Sequence, residues 1–211
     1  MSADLQDITG VLLAGGLSRR MGGGDKGLHR IAGKPMLQHI IDRVAPQVGR
    51  LAINANGDPA RFAEYGLPVF PDTVEGFVGP LAGVLAGMCW AIDNTPSARW
   101  IATVSTDAPL LPSDLVSRLR KTAEVQPTAV AIAQSDGHLH PVIGLWPVQL
   151  ADDLETALHN NVRKVLNWTD RHGTVAVDFP MIDANGKIID PFFNANTPEE
   201  LAQAEDFLKL V

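Results

Sequence analysis

The chain has a single cysteine, Cys89, among its 211 residues. An intramolecular disulfide is thereby excluded, as is any zinc or iron–sulfur centre built from several cysteines. Charge is sparse, at 19% of residues, and 24 acidic against 17 basic side chains give a net charge of −7. That balance weighs against a dedicated nucleic-acid binder, and no nucleic-acid partner is expected. Long apolar runs are also missing. The longest mostly apolar stretch, 78–92, is too short to cross a bilayer and contains three glycines and a proline. Met1-Ser2-Ala3-Asp4 has no basic segment leading into an apolar core, so no secretory signal is expected. The expected location is the cytoplasm, without a membrane partner. Internal repeats, low-complexity tracts and linkers are absent too.

What remains is the composition of a folded protein. With 45% apolar residues, a chain this long can bury roughly 70% of its unfolded surface without a metal or disulfide staple. Residues 8–14 form an apolar run ending in Gly15-Gly16, as a buried strand of a parallel sheet would. Pro35 opens a helix with Met36, Leu37, Ile40, Ile41 and Val44 at helical spacing. Residues 51–55 and 67–70 read as strands, and Gly79-Pro80 starts a helix with Leu81, Leu85, Met88 and Ile92 along one face. A strand at 100–104 breaks at Thr106-Asp107-Ala108-Pro109, and Pro112-Ser113 caps a helix that turns Leu115, Val116 and Leu119 inward. Residues 129–133 and 139–146 read as a hairpin across Asp136-Gly137. Helical patterns at 154–158 and 162–168 and a strand at 174–179 follow. Thr197-Pro198-Glu199-Glu200 reads as a capped helix start, with Leu201, Ala204 and Leu208 inward. Strands alternating with helices predict one Rossmann-like, three-layer α/β domain over 1–211, with a mainly parallel sheet.

In such sheets ligands sit beyond the carboxyl ends of the strands. There, after residues 8–14, lies LAGGLSRRMGGGDK, residues 13–26. Glycines let backbone N–H groups converge on phosphate oxygens, and Arg19, Arg20 and Lys26 can neutralise a triphosphate. Between Gly16 and Lys34, five basic residues face one acidic residue, an inverted balance within an acidic chain that suits a small anionic ligand. Gly22-Gly23-Gly24-Asp25-Lys26-Gly27 matches the spelling of a dinucleotide fingerprint but begins eight residues past Ala14, too late for one. A P-loop is excluded as well, because Lys26 lies between Asp25 and Gly27. Asp107, at the end of another strand, suits Mg²⁺ held against phosphates, with a local turn role as the alternative. Asp72 in Phe70-Pro71-Asp72-Thr73 has a similar place, with a turn role and a ligand contact as its two readings.

These residues carry a resemblance. LAGGLSRRMGGGDK resembles the signature of the LAGGxSxRMG nucleotidyltransferases, and the chain is most similar to their molybdenum cofactor guanylyltransferase family. The likeness continues in order through Ile53-Asn54-Ala55-Asn56, Phe70-Pro71-Asp72, Gly79-Pro80-Leu81-Ala82-Gly83, Thr106-Asp107-Ala108-Pro109, His140-Pro141 and Asn194-Ala195-Asn196-Thr197-Pro198-Glu199-Glu200. It implies a nucleotidyltransferase-type fold in which Leu13, Ala14, Gly15 and Gly16 lie along GTP with Arg19. Lys26 would contact the phosphates, Asn54 and Asp72 would help hold GTP, and Asp107 would coordinate Mg²⁺. Asn194 and Asn196 match positions on the side of the pterin substrate. Relatives often carry Cys where this chain has Thr106.

The implied reaction is attack by the terminal phosphate of molybdopterin, or its molybdenum-loaded form, on the α-phosphate of GTP. Asp107, Lys26 and Arg20 would take the catalytic roles. Molybdoenzymes or their chaperones are the expected protein partners. Cytidylyl transfer to the same pterin, transfer to a sugar phosphate and a non-catalytic carrier role are the alternatives. Of the other candidates, His138-x-His140 lacks further metal ligands, so His140 reads as structural or substrate-contacting and His138 as solvated. Cys89 reads as a buried small apolar residue, and Trp90, Trp100, Trp146 and Trp168 as packing. Asp152-Asp153 reads as a solvated helix start.

Overall fold

The computed structural model describes residues 5–15, 25–74 and 79–210. Strand β1 (Ile8–Leu13) shows how the sequence makes its sheet, since five of its six residues are buried. Successive side chains pass to opposite faces. Ile8 and Leu12 join one apolar cluster, and Val11 joins the other. A strand buried on both faces needs helices on both, which is the three-layer arrangement expected.

A short hairpin, β2 (Arg30–Ile31) and β3 (Lys34–Pro35), precedes α1 (Met36–Val44). Strands β4 (Arg50–Asn54) and β5 (Val69–Phe70) follow, then α2 (Pro80–Asn94), β6 (Trp100–Ser105) and α3 (Leu115–Val125). Next come β7 (Val130–Ser135), β8 (His138–Pro147), α4 (Ala151–His159), α5 (Val165–Thr169) and β9 (Thr174–Asp178). A second small hairpin, β10 (Ile182–Ala184) and β11 (Lys187–Ile189), leads to α6 (Pro198–Leu208). The main sheet has seven strands in the order β5-β4-β1-β6-β8-β7-β9. Its pairs are parallel except those of β8 with β6 and β7. Helices α1 and α3 supply core residues on one side, while α2, α4 and α5 supply them on the other.

Several expectations hold in detail. The hairpin turn places Asp136 at φ 45° and Gly137 at φ 74°, the paired positive angles of a type I′ turn. At α6, Thr197 accepts from the backbone of Glu200 while Glu200 accepts from the backbone of Thr197, a complete capping box. The tryptophans pack: Trp146 is fully buried and its indole N–H donates to Thr103 Oγ1 at 2.7 Å.

Others need correction. Ile92 is 50% exposed rather than inward, because the start of α2 is wedged between the sheet and α4 and is buried all round, leaving no single stripe to extrapolate. Pro112-Ser113 is not the cap: α3 begins at Leu115 with Asp114 at its N-cap, although Leu115, Val116 and Leu119 are buried as expected. Pro35 precedes α1 as its N-cap instead of occupying its first turn. Cys89 is only partly buried. Asp153 does more than start a helix, since it accepts from Trp168 Nε1 and contacts His172 Nε2, both at 2.8 Å. Burial works to raise the Asp153 carboxyl, but these two partners prevail and lower it.

Candidate active site

The chain order turns at β1. Its successor in the sheet on one side is β4, and on the other side it is β6, so the crevice beyond the carboxyl end of β1 is a topological switch point. Leu13 there pairs in register with Asn54 of β4 and Ser105 of β6. The next turn of chain stays attached: Ala14 N donates to Asn54 O at 2.8 Å. Thr106 Oγ1 donates to Leu13 O at 3.4 Å from the other flank. Gly15 is exposed, with open space where a Cβ would stand. The candidate residues Gly16, Arg19 and Arg20 lie outside the described residues.

Two groups of side chains flank this end of β1. In the first, Asn54 is 3% exposed and its Nδ2 donates to Asp72 Oδ1 at 3.0 Å. Asn56 Nδ2 donates to Asp72 Oδ2 at 2.8 Å, and Asp72 N donates back to Asn56 Oδ1 at 2.9 Å. Both carboxylate oxygens of Asp72 are therefore held by amides. Asn54 fits its slot because Gly83, one turn into α2, has no side chain. A Cβ there would collide with Asn54 Oδ1 and lie 3.0 Å from Leu13 Cδ2.

In the second group, Lys26 Nζ donates to Asn196 Oδ1 at 2.5 Å and stands 3.5 Å from Asp107 Oδ2. The other carboxylate oxygen, Asp107 Oδ1, is buried with no hydrogen-bond partner among the described residues. Lys26 reaches this point because it starts a short 3₁₀ turn, Lys26–Leu28, packed directly on β6's continuation. A Cβ on Gly27 would lie 3.3 Å from Thr106 Cβ. From the far end of the chain, Ala195 N donates to Asp107 O at 2.9 Å, docking the Asn194–Asn196 segment beside the carboxylate. Glu200 Oε2 also accepts from Asn196 N at 2.6 Å, so the capping glutamate of α6 helps place this asparagine.

The structure thus brings together Lys26, Asp107 and Asn196, and separately Asn54 and Asp72, around Leu13 and Ala14. Asn194 is exposed and its side chain joins neither group. Sequence reasoning missed Asn56, Gly83 and Glu200. Asn56 lies in the motif Ile53-Asn54-Ala55-Asn56 just past the end of β4, and its spacing of two from Asn54 is a usable signal. His140 packs against the ring of Phe192, and its Nε2 is 2.7 Å from Ser135 Oγ, which donates to Asp190 Oδ1 at 2.8 Å. Burial lowers the His140 pKa, against the opposing pull of Asp190. Cys89 is no activated thiol, since burial and then the charges of Glu155 and Asp93 raise its pKa.

A mainly parallel sheet that gathers a lysine, an aspartate with one buried and unpartnered oxygen, and a second, gripped aspartate at its switch point has the arrangement of a nucleotide-binding α/β protein. Comparison with known proteins agrees. Residues 10–185 match the family model described as the MobA-like NTP transferase domain. The chain is 53% identical to a molybdenum cofactor guanylyltransferase of Bradyrhizobium sp. (strain ORS 278), over 94% of this chain and 92% of that one. It is 52% identical to another so named in Rhodopseudomonas palustris (strain BisB5), over 96% and 95%. The fold is shared with molybdopterin-guanine dinucleotide biosynthesis protein A from Archaeoglobus fulgidus, with a TM-score of 0.72 and 21% identity over 96% of this chain and 100% of that one. It is shared too with a CMP:2-keto-3-deoxy-manno-octonic acid synthetase complexed with CTP, with a TM-score of 0.71 and 13% identity over 96% and 98%. The chain belongs to the MobA-like NTP transferases and, among them, to the molybdenum cofactor guanylyltransferase family.

Proposed function

We propose that this chain transfers GMP from GTP to the terminal phosphate of molybdopterin, in its Mo-molybdopterin form, releasing pyrophosphate and forming the molybdopterin guanine dinucleotide cofactor. The observation that carries this reading is the meeting of Lys26, Asp107 and Asn196 at the carboxyl ends of β1 and β6. It joins a phosphate-binding cation and a free carboxylate oxygen to a segment from the other end of the chain.

The terminal phosphate of the pterin is already ionised at neutral pH, so it attacks the α-phosphate of GTP without a general base. The bond from the α-phosphorus to the bridging oxygen breaks, and pyrophosphate leaves with that oxygen. No covalent protein intermediate is needed. The work of the protein is alignment and neutralisation of charge as it grows. Asn54 and Asn56 hold Asp72 toward the nucleotide, while Lys26 neutralises the departing pyrophosphate; Arg20 is assigned to the pyrophosphate and Arg19 to the triphosphate by the loop motif, both lying outside the described residues. Asn194 and Asn196 face the pterin substrate. Asp107 fits a divalent cation, because one of its oxygens is buried and has no partner among the described residues. One carboxylate plus substrate phosphates is the usual setting of Mg²⁺. When bound, Mg²⁺ supplies charge withdrawal from the phosphates.

No helix among the described residues is long and apolar enough to cross a membrane. The reading assigns the enzyme to the cytoplasm, with molybdoenzymes or their chaperones receiving the product. The test is pyrophosphate release under anaerobic conditions with Mg²⁺, molybdopterin and molybdate, using GTP, CTP and ATP separately. Release that needs the pterin and prefers GTP supports the reading. Preference for CTP makes the chain a cytidylyltransferase, and release with none of the three points to another phosphorylated acceptor or to a carrier role. In the same assay Asp107→Ala abolishes turnover more severely than it weakens GTP binding; equal losses would make Asp107 a binding or structural residue.

A further inference from the structure

We infer that Arg61 is a positioning residue for the nucleotide end of the site, joining the residue in front of Lys26 to the backbone of Asn56, whose side-chain amide grips Asp72. The inference deepens the reading given above and rests on it. Arg61 lies in a 3₁₀ helix, Pro59–Tyr65, that follows β4 and is capped by Asp58, whose side chain accepts from Ala60 N at 2.9 Å. Its guanidinium reaches two ways. Nε stands 2.6 Å from Asp25 Oδ2, a charge contact rather than an aligned hydrogen bond, and Nη2 donates to Asn56 O at 2.5 Å. Gly57, at φ 85°, clears the path, because a Cβ there would stand 3.0 Å from Nη1.

The two contacts matter for what their partners hold. Asp25 is the N-cap residue of the turn that starts with Lys26, yet its carboxylate makes no capping hydrogen bond. Its described side-chain partner is Arg61. Asn56 is the residue whose amide exchanges hydrogen bonds with Asp72. A single guanidinium therefore braces Lys26 through Asp25 and Asp72 through Asn56, two residues 46 positions apart in the sequence. An exposed ion pair would contribute little to such an arrangement. This one is sheltered: the Asp25 side chain is 15% exposed and that of Arg61 30%. A lysine cannot replace the fork, having one nitrogen where the geometry uses two.

The test titrates MgGTP into the full chain without pterin, then measures KM for GTP and for molybdopterin separately. Arg61→Gln raises the Kd for GTP about tenfold or more, while KM for molybdopterin moves far less. Asp25→Asn combined with Arg61→Gln is no worse than Arg61→Gln alone, because Arg61→Gln has already removed the contact to Asp25. Arg61→Lys, the variant most certain to fold, keeps part of the loss. Unchanged GTP binding in both Arg61 variants overturns the inference, as does an equal rise in KM for both substrates. Losses that add in the double variant overturn the coupling to Asp25. Failure of the underlying reading shows separately, as wild-type protein that prefers another nucleotide or releases no pyrophosphate.

Discussion

Gly83 and Gly87 lie one turn apart on the same side of α2, both against the sheet, and alanine at each position should fail in a different way. Alanine is the better helix former by about 1 kcal/mol, so propensity alone would make either change stabilising. Space opposes it. At Gly87 the new Cβ would lie 3.0 Å from Val11 Cγ2 and 3.2 Å from Ile101 Cδ1, both apolar and both remote from the nucleotide groups. Overpacking of that kind costs about 1–3 kcal/mol, so Gly87→Ala loses up to about 2 kcal/mol net. For a chain of this size that is a fall in Tm of up to about 8 °C. At Gly83 the Cβ instead meets Asn54 Oδ1 and Leu13 Cδ2. Asn54 is the side chain that gives, and it leaves Asp72 Oδ1 as it goes. A hydrogen bond to a charged group contributes about 1.5–3 kcal/mol, equivalent to a Kd for GTP weaker by about tenfold or more. Calorimetric titration with MgGTP, beside thermal melts of both variants, separates the two effects. Gly83→Ala binding GTP as tightly as Gly87→Ala would refute the idea that Asn54 holds Asp72 for the nucleotide.

Three further outcomes follow from other contacts. Thr197→Ala removes half of the capping box and lowers stability by about 1 kcal/mol in urea unfolding, leaving both KM values near wild type. Glu200→Ala loses, besides its capping bond, the acceptor for Asn196 N, so its KM for molybdopterin rises as well; an unchanged KM would remove Glu200 from the site. His140 has a lowered pKa in the fold, so the unfolded chain binds its proton first: stability is full above the unfolded value of about 6.5 and falls as pH drops below it. His140→Gln flattens that part of the pH–stability profile, and a profile that keeps its slope would assign it to another group.

The parts of the site that were legible in the sequence are local. An apolar strand running into Gly15, a carboxylate after an apolar strand at Asp107, and a capped helix start at Thr197 are each readable from a few residues. The Asp136-Gly137 turn is legible for the same reason. The stripe through Ile92 failed because it presumed one buried face, whereas nine residues of α2 between Leu81 and Ala91 are buried on all sides. Two-residue strands such as β2 and β3 carry no periodicity to read. The hairpin of β10 and β11 did carry a signal, Asn185-Gly186, both at positive φ, which names a tight turn. What the sequence could not reveal are pairings across distance: Lys26 with Asn196, Asp25 with Arg61, Asn54 with Asp72. These depend on which strand ends the topology makes neighbours.

The most direct test of the central claim follows the phosphorus. With GTP labelled at the α-phosphate, the label is expected to enter a dinucleotide with molybdopterin, and label at the γ-position to leave in pyrophosphate. Label recovered in free GMP or GDP, or retained in GTP while the pterin is present, would contradict transfer of GMP by this chain.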